Sequence, residues 1–156
     1  MIDEAGTVDE SRLIIPQLAG IYRQAASFGY VVLRVVIALV FLPAGVDKMF
    51  LGGAAGVAGA IAKLGFAPPL VWAWIVAGLE FFGAILLALG LFTRPVAFAF
   101  AVELTVIAVG IMAPRGGFFW TSGGAEVALL LEAAMIGFVF GGGGRYSVDR
   151  LIGREF

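Results

Sequence analysis

Ionisable side chains stand inside stretches that are otherwise apolar: Arg34, Lys48, Glu80, Glu103 and Glu126, with Glu132 beside them in the same class. Cations and carboxylates held away from water can pair with one another, hold a polar head group or pass protons. The chemistry open to them is bounded by what the chain lacks, because its 156 residues include His 0 and Cys 0. That excludes histidine-ligated haem, copper or zinc, thiolate metal sites and dithiol relays. A carboxylate-only metal site is not expected, since first-row transition metals usually draw a histidine or cysteine. No covalently bound cofactor is expected; redox chemistry here would use a bound organic carrier such as a quinone, or a partner's cofactor. The run GGGGR at 141–145 lacks a preceding strand and the Lys-Ser/Thr of a phosphate loop, so nucleotide binding is rejected.

The elements that position these groups are membrane helices. Hydrophobic residues make up 62% of the chain and charged ones 13%, and the mean hydropathy is +1.06. A soluble domain of this length needs far more polar surface, so an integral membrane protein is expected. The net charge of −1 gives no reason to expect nucleic-acid binding. The run 70–92 is long enough to cross a bilayer and carries Glu80 near its middle. At about 100° per residue, Ala73, Ala77, Gly83, Ala84, Leu87 and Leu91 share the side of Glu80. Val71, Trp74, Ile75, Phe82, Ile85, Leu86 and Leu89 lie opposite. Small residues let helices approach and bulky ones suit lipid, which predicts that Glu80 points into a bundle.

The same reading places spans at 28–50, 70–92, 95–113 and 125–140, joined by short loops. The expected fold is all-α, an up-down-up-down four-helix bundle over 28–141, with a short amphipathic helix at the interface between the first two spans. Residues 1–27 are expected to be a cytoplasmic tail, with Leu13, Ile14, Leu18, Ile21 and Tyr22 able to form a surface helix after an acidic start. Residues 142–156 are expected to be a cytoplasmic tail as well. The side of the membrane follows the basic residues. Arg12, Arg23, Arg94, Arg145, Arg150 and Arg154 fall on one side; Lys48, Lys63 and Arg115 fall on the other. Both termini are therefore expected inside, in the plasma (inner) membrane of a bacterium.

Arg34 and Lys48 share an inward face of the first span, separated by about 21 Å along the axis at 1.5 Å per residue. Depth alone suggests that Arg34 pairs with Glu80, sharing Glu103, and that Lys48 pairs with Glu126 near the outer surface. The bland alternative is that such pairs only fix helix register. Glu132 lies about 120° from Glu126 on the fourth span, and is expected to be uncharged or buried between subunits. Ser147 and Asp149 are cap residues or a docking tip for a cytoplasmic partner. Phe118, Phe119 and Trp120 are expected to anchor at the interface.

Ordered stretches carry a resemblance. LRVVIALVFLPAGVDKMF (33–50), LEFFGAILLALGLFTRPVA (79–97), GGAEVALLL (123–131) and GGGGRYSVDRLI (141–152) resemble the DoxX/DoxD family of small four-helix membrane proteins. The matching positions are Arg34, Gly45, Lys48, Glu80, Gly90, Glu126, Gly142, Gly144, Ser147 and Asp149. Glu103 and Glu132 lie outside that pattern. The resemblance implies an accessory membrane component of a redox system, because some relatives are subunits of thiosulfate:quinone oxidoreductase and others partner redox-defence enzymes. It implies lipid and a protein partner, or a homo-oligomer, as company, and a quinone head group as the expected ligand. The alternatives are a non-enzymatic adaptor or assembly factor, as in more distant similar folds, and a small transporter or proton path.

Overall fold

The computed structural model describes residues 13–154, and among these every regular element is helical. A 3-10 turn at Pro16–Leu18 leads into α1, Ala19–Phe50. Then follow α2 (Gly53–Lys63), α3 (Pro69–Leu89), α4 (Thr93–Arg115), α5 (Glu126–Gly141) and the short α6 (Val148–Ile152). By length and composition α1, α3 and α4 can each cross a membrane. At 1.5 Å per residue, the 16 residues of α5 reach about 24 Å.

Of the residues expected to form a surface helix, Leu13 and Ile14 precede the first turn, Leu18 closes the 3-10 turn, and Ile21 and Tyr22 belong to α1, which no glycine pair or proline breaks between Ala19 and Leu42. Asp3, Glu4, Asp9, Glu10 and Arg12, which the orientation argument and the acidic start used, lie outside the described residues. Backbone chemistry sets the other boundaries. Gly52, with φ +88°, breaks the chain between α1 and α2. Pro69 opens α3 at its first position, where a missing N–H costs nothing. Gly90, at φ +68°, ends α3 as a left-handed cap.

Four of the helices share one core. Ile37, Ala38 and Phe41 of α1 meet Ala84 and Leu87 of α3, Val96, Ala97, Phe100 and Leu104 of α4, and Ala128, Met135 and Phe138 of α5. Phe41 and Phe100 stack at its centre with ring centroids 4.2 Å apart. Most of the face expected for α3 is met: Ala73, Ala77, Glu80, Gly83, Ala84 and Leu87 are buried and Val71, Trp74, Ile75, Phe82, Ile85 and Leu89 exposed, while Leu86, expected outside, is half-buried against the core and Leu91 lies past the end of the helix, half-buried. A smaller cluster of Ala54, Ile61 and Ala73 seats α2 against α3.

Candidate functional site

The register between α1 and α3 decides which charges meet. The two helices run antiparallel and are in tight backbone contact at Gly45, where a methyl group would lie 2.5 Å from Phe81 N and 2.6 Å from Glu80 C. Only glycine permits that approach. Glu80 is therefore level with the last turns of α1, and its carboxylate pairs with the Lys48 ammonium. Arg34 lies fourteen residues before Lys48, about 21 Å along the axis, and is level with the opposite end of α3, where it reaches the Ala88 carbonyl. The expected Arg34–Glu80 pair does not form, because side-chain angle was read correctly but axial register was not available from one sequence.

Two polar clusters result. The first contains Lys48, Glu80 and Glu103. Glu80 is 5% exposed and Glu103 8% exposed. Glu103 projects from α4 beside Glu80, close enough to interact electrostatically with it and with Lys48. Neither carboxylate oxygen of Glu103 receives a hydrogen bond from a nitrogen or hydroxyl donor among the described residues; the polar group within hydrogen-bonding reach is the Glu80 carboxyl. Burying such a group without a partner costs several kcal/mol, on the order of 2–7 for a polar group and more for a charge. Both glutamates are associated with irregular helix: Glu80 sits in the π-turn Leu79–Gly83, and the π-segment Val106–Met112 begins three residues after Glu103. Widened turns of this kind are frequent at functional sites.

The second cluster lies at the other end of the α1–α3 contact. Arg34, 2% exposed, donates to the carbonyls of Gly143, Tyr146 (2.9 Å) and Ala88 (3.3 Å). Tyr30 donates to the Gly142 carbonyl at 2.7 Å. Asp149 accepts from Phe92 N (2.8 Å), Thr93 N (3.0 Å) and the Thr93 hydroxyl (2.9 Å). It thus caps the N-terminus of α4 from more than fifty residues away, at the end of a helix where a carboxylate is favoured. Its own N–H donates to the Gly90 carbonyl at 2.9 Å. Glycine makes room for all this: a methyl group on Gly90 would collide with Arg34 and Ser147, and one on Gly144 would lie 2.7 Å from the Tyr30 ring. Ser147 caps α6 by accepting from Arg150 N at 3.2 Å. Ser147 and Asp149 are both buried and act as caps, the first of the two roles expected for them, in a clasp turned inward.

Glu126 does not meet Lys48. Its carboxylate accepts from Trp120 N at 3.2 Å and its own N–H donates to the Phe118 carbonyl at 2.9 Å. It opens α5, so the nearest donors are the backbone of its preceding loop, and Lys48 is already taken by Glu80. It holds the exposed aromatic loop Phe118-Phe119-Trp120 in shape. Glu132 accepts from the Thr105 hydroxyl at 2.6 Å on the outer face of α4 and α5. Elsewhere a groove of about 400 Å³ is lined by Ile21, Ala25, Phe28 and Tyr146, near the clasp and away from Glu80. Among the described residues there is no grouping of three acidic side chains that could hold a metal ion.

The Lys48 cluster can therefore offer ammonium hydrogens to a carbonyl oxygen and a carboxylate to a hydroxyl, inside apolar walls. The Arg34 cluster has the two terminal guanidinium nitrogens committed to backbone carbonyls, while Nε is buried without an acceptor among the described residues. Sequence reasoning named Arg34, Lys48, Glu80 and Glu103 but sorted them into the wrong pairs, and it missed Thr93, Tyr30 and Thr105. The signal for Thr93 was present in the pairing of a glycine-rich C-terminal run with a threonine at a helix start.

The DoxX family model matches residues 29–113. That match takes in Arg34, Gly45, Lys48, Glu80, Gly90 and Glu103, and leaves Glu126, Ser147 and Asp149 outside it. An uncharacterized protein of Haemophilus influenzae is 38% identical over 120 residues, covering 75% of this chain and 85% of that relative. No solved structure matches.

Proposed function

This chain belongs to the DoxX family, and from that premise we propose that it is an accessory membrane subunit of a redox system whose Lys48–Glu80–Glu103 cluster holds a quinone head group. The observation that carries the reading is Glu103, buried with no nitrogen or hydroxyl donor to its oxygens among the described residues and set against the Glu80 carboxyl of a lysine–glutamate pair. The donor set fits the two states of such a carrier. A quinone carbonyl accepts from the Lys48 ammonium, which has three hydrogens and one carboxylate to serve. A quinol hydroxyl donates to Glu103. The bound quinone would supply the two-electron, two-proton chemistry; the chain's residues would orient the ring and keep its oxygens solvated in a low-dielectric interior. Phe41 and Phe100, one to two turns from Lys48 and Glu103 on their helices, offer flat apolar walls.

The same proposal includes an arrangement in the bilayer. α1, α3, α4 and α5 cross as an up-down-up-down bundle, α2 lies at the outer interface, and both termini are cytoplasmic in a bacterial inner membrane. The exposed Trp72, Trp74 and Trp120 then share the outer headgroup level.

A second reading, a non-enzymatic adaptor or assembly factor, draws on the Arg34 clasp, whose polar groups serve only the fold. The deciding experiment is purification in mild detergent followed by mass spectrometry of extracted quinones, with thermal melting after added quinone. Retained quinone and a raised melting temperature, both reduced in Glu103→Gln and lost in Glu103→Leu, are expected. Absence of quinone together with no shift on addition sinks the first reading and leaves the adaptor.

A further inference from the structure

The face formed by α4 and α5 away from the core carries a polar pair where lipid would otherwise lie. Phe98, Val102, Thr105 and Val109 form an exposed stripe on α4, and Leu129, Ala133 and Ile136 one on α5, with half-buried Glu132 at the seam between them. Thr105 is near the middle of Thr93–Arg115 and Glu132 near the middle of Glu126–Gly141. A carboxylate at that depth is costly and normally faces protein or water. Thr105 is an incomplete answer, because its single hydroxyl hydrogen is shared between Glu132 (2.6 Å) and the Ala101 carbonyl (2.9 Å).

Charge complementarity identifies what completes the pair. Along α4 and α5 the basic residues are Arg94 and Arg115, at the two ends of α4, and α5 has none. A second copy facing this seam would set one Glu132 against another and bring no cation. A transmembrane helix of a different protein, bearing a lysine or arginine at mid-depth, brings the missing donor and covers the apolar stripe. Ala133 and Gly137 are exposed on α5, and a methyl group on Gly137 would meet nothing within 4 Å, so a helix backbone can come close there. We propose that the α4–α5 seam around Thr105 and Glu132 is the docking surface for a partner subunit's transmembrane helix carrying a basic residue at mid-membrane. This deepens the accessory-subunit reading by giving the partner a face and a chemistry, and it does not use the quinone cluster.

The absence of cysteine allows clean single-site labelling. The full chain labelled through Arg154→Cys, at the exposed tail, is placed in phosphatidylcholine liposomes. Energy transfer is then measured to synthetic polyleucine transmembrane peptides whose central residue is lysine or leucine. The lysine peptide is expected to associate about 5- to 30-fold more tightly, the range set by one intramembrane polar contact. That preference is expected to vanish in Glu132→Gln, to weaken in Thr105→Val and to persist in Glu126→Gln, with helix content checked in each. Equal association of both peptides overturns the proposal. So does energy transfer between copies of the chain that Glu132→Gln abolishes, since the occupant is then a second copy. Quinone retention measured on the same samples separates the two readings, because failure at Glu132 leaves the quinone site standing and the reverse holds too.

Discussion

The Lys48 ammonium and the Glu80 carboxylate meet across α1 and α3, one turn from the point where Gly45 lies against the Glu80–Phe81 backbone. The close approach and the ion pair depend on each other. Gly45 brings the helix axes together, which sets Lys48 level with Glu80 and shields both from lipid. In turn a buried pair is favourable only when its geometry is held, since desolvating each ion costs several kcal/mol.

Removing one member of this pair should cost more than removing both. Lys48→Met leaves Glu80 buried and unpaired beside Glu103, and a loss of about 3–5 kcal/mol is expected. Lys48→Met with Glu80→Leu should recover much of that loss. Unfolding in mixed micelles, read as a double-mutant cycle, gives the coupling; single variants as stable as the parent would mean that the contact is not formed.

Gly45→Ala tests the approach itself. The added methyl would meet backbone atoms of Glu80 and Phe81, which cannot rotate aside. Overpacking of this kind typically costs about 1–3 kcal/mol. The thermal midpoint should fall, and Gly29→Ala, within α1 and with a methyl that meets nothing within 4 Å, should leave it unchanged or raise it slightly.

How far the sequence reached can be judged from such residues. The buried and lipid-facing sides of α3 followed from side-chain size at helical period, because in a membrane size and polarity sort by face. The polar positions followed from their rarity in apolar runs. The pairings did not follow, because a helical wheel gives angle and not the offset between helices, and that offset is set at Gly45. The clasp was hidden for another reason: the Arg34 partners are backbone carbonyls of the glycine run, and carbonyls carry no residue signature. At the N-terminal end α1 begins at Ala19, ahead of the span expected from residue 28, since an exposed first helical segment and a separate amphipathic helix share one pattern.

Asp149 fastens the C-terminal segment to the start of α4. Asp149→Ala removes three hydrogen bonds at the Phe92–Thr93 turn, and a cap loss of about 0.5–2 kcal/mol is expected. The more telling readout is local. Amide exchange at 92–96 and at 147–152 should speed up together, because each segment holds the other. Protection lost at only one of the two would mean that the clasp does not act as a unit.

Glu103 should behave in the opposite sense from a structural residue. With its two oxygens buried, without a nitrogen or hydroxyl donor among the described residues and against a second carboxyl, Glu80, the carboxyl is a burden on the ligand-free fold. Glu103→Leu replaces it with an apolar group of similar size, and a gain of about 1–3 kcal/mol is expected from relieving an unsatisfied buried polar group. The same variant should lose retained quinone, the trade of stability against function that marks binding sites. Glu103→Gln separates charge from shape: it keeps a hydrogen-bonding oxygen and should bind more weakly than the parent and more tightly than Glu103→Leu. Melting temperature and quinone content measured on the same preparations check both signs. A destabilised Glu103→Leu that still retains quinone would place Glu103 in the framework of the bundle and move the head group elsewhere.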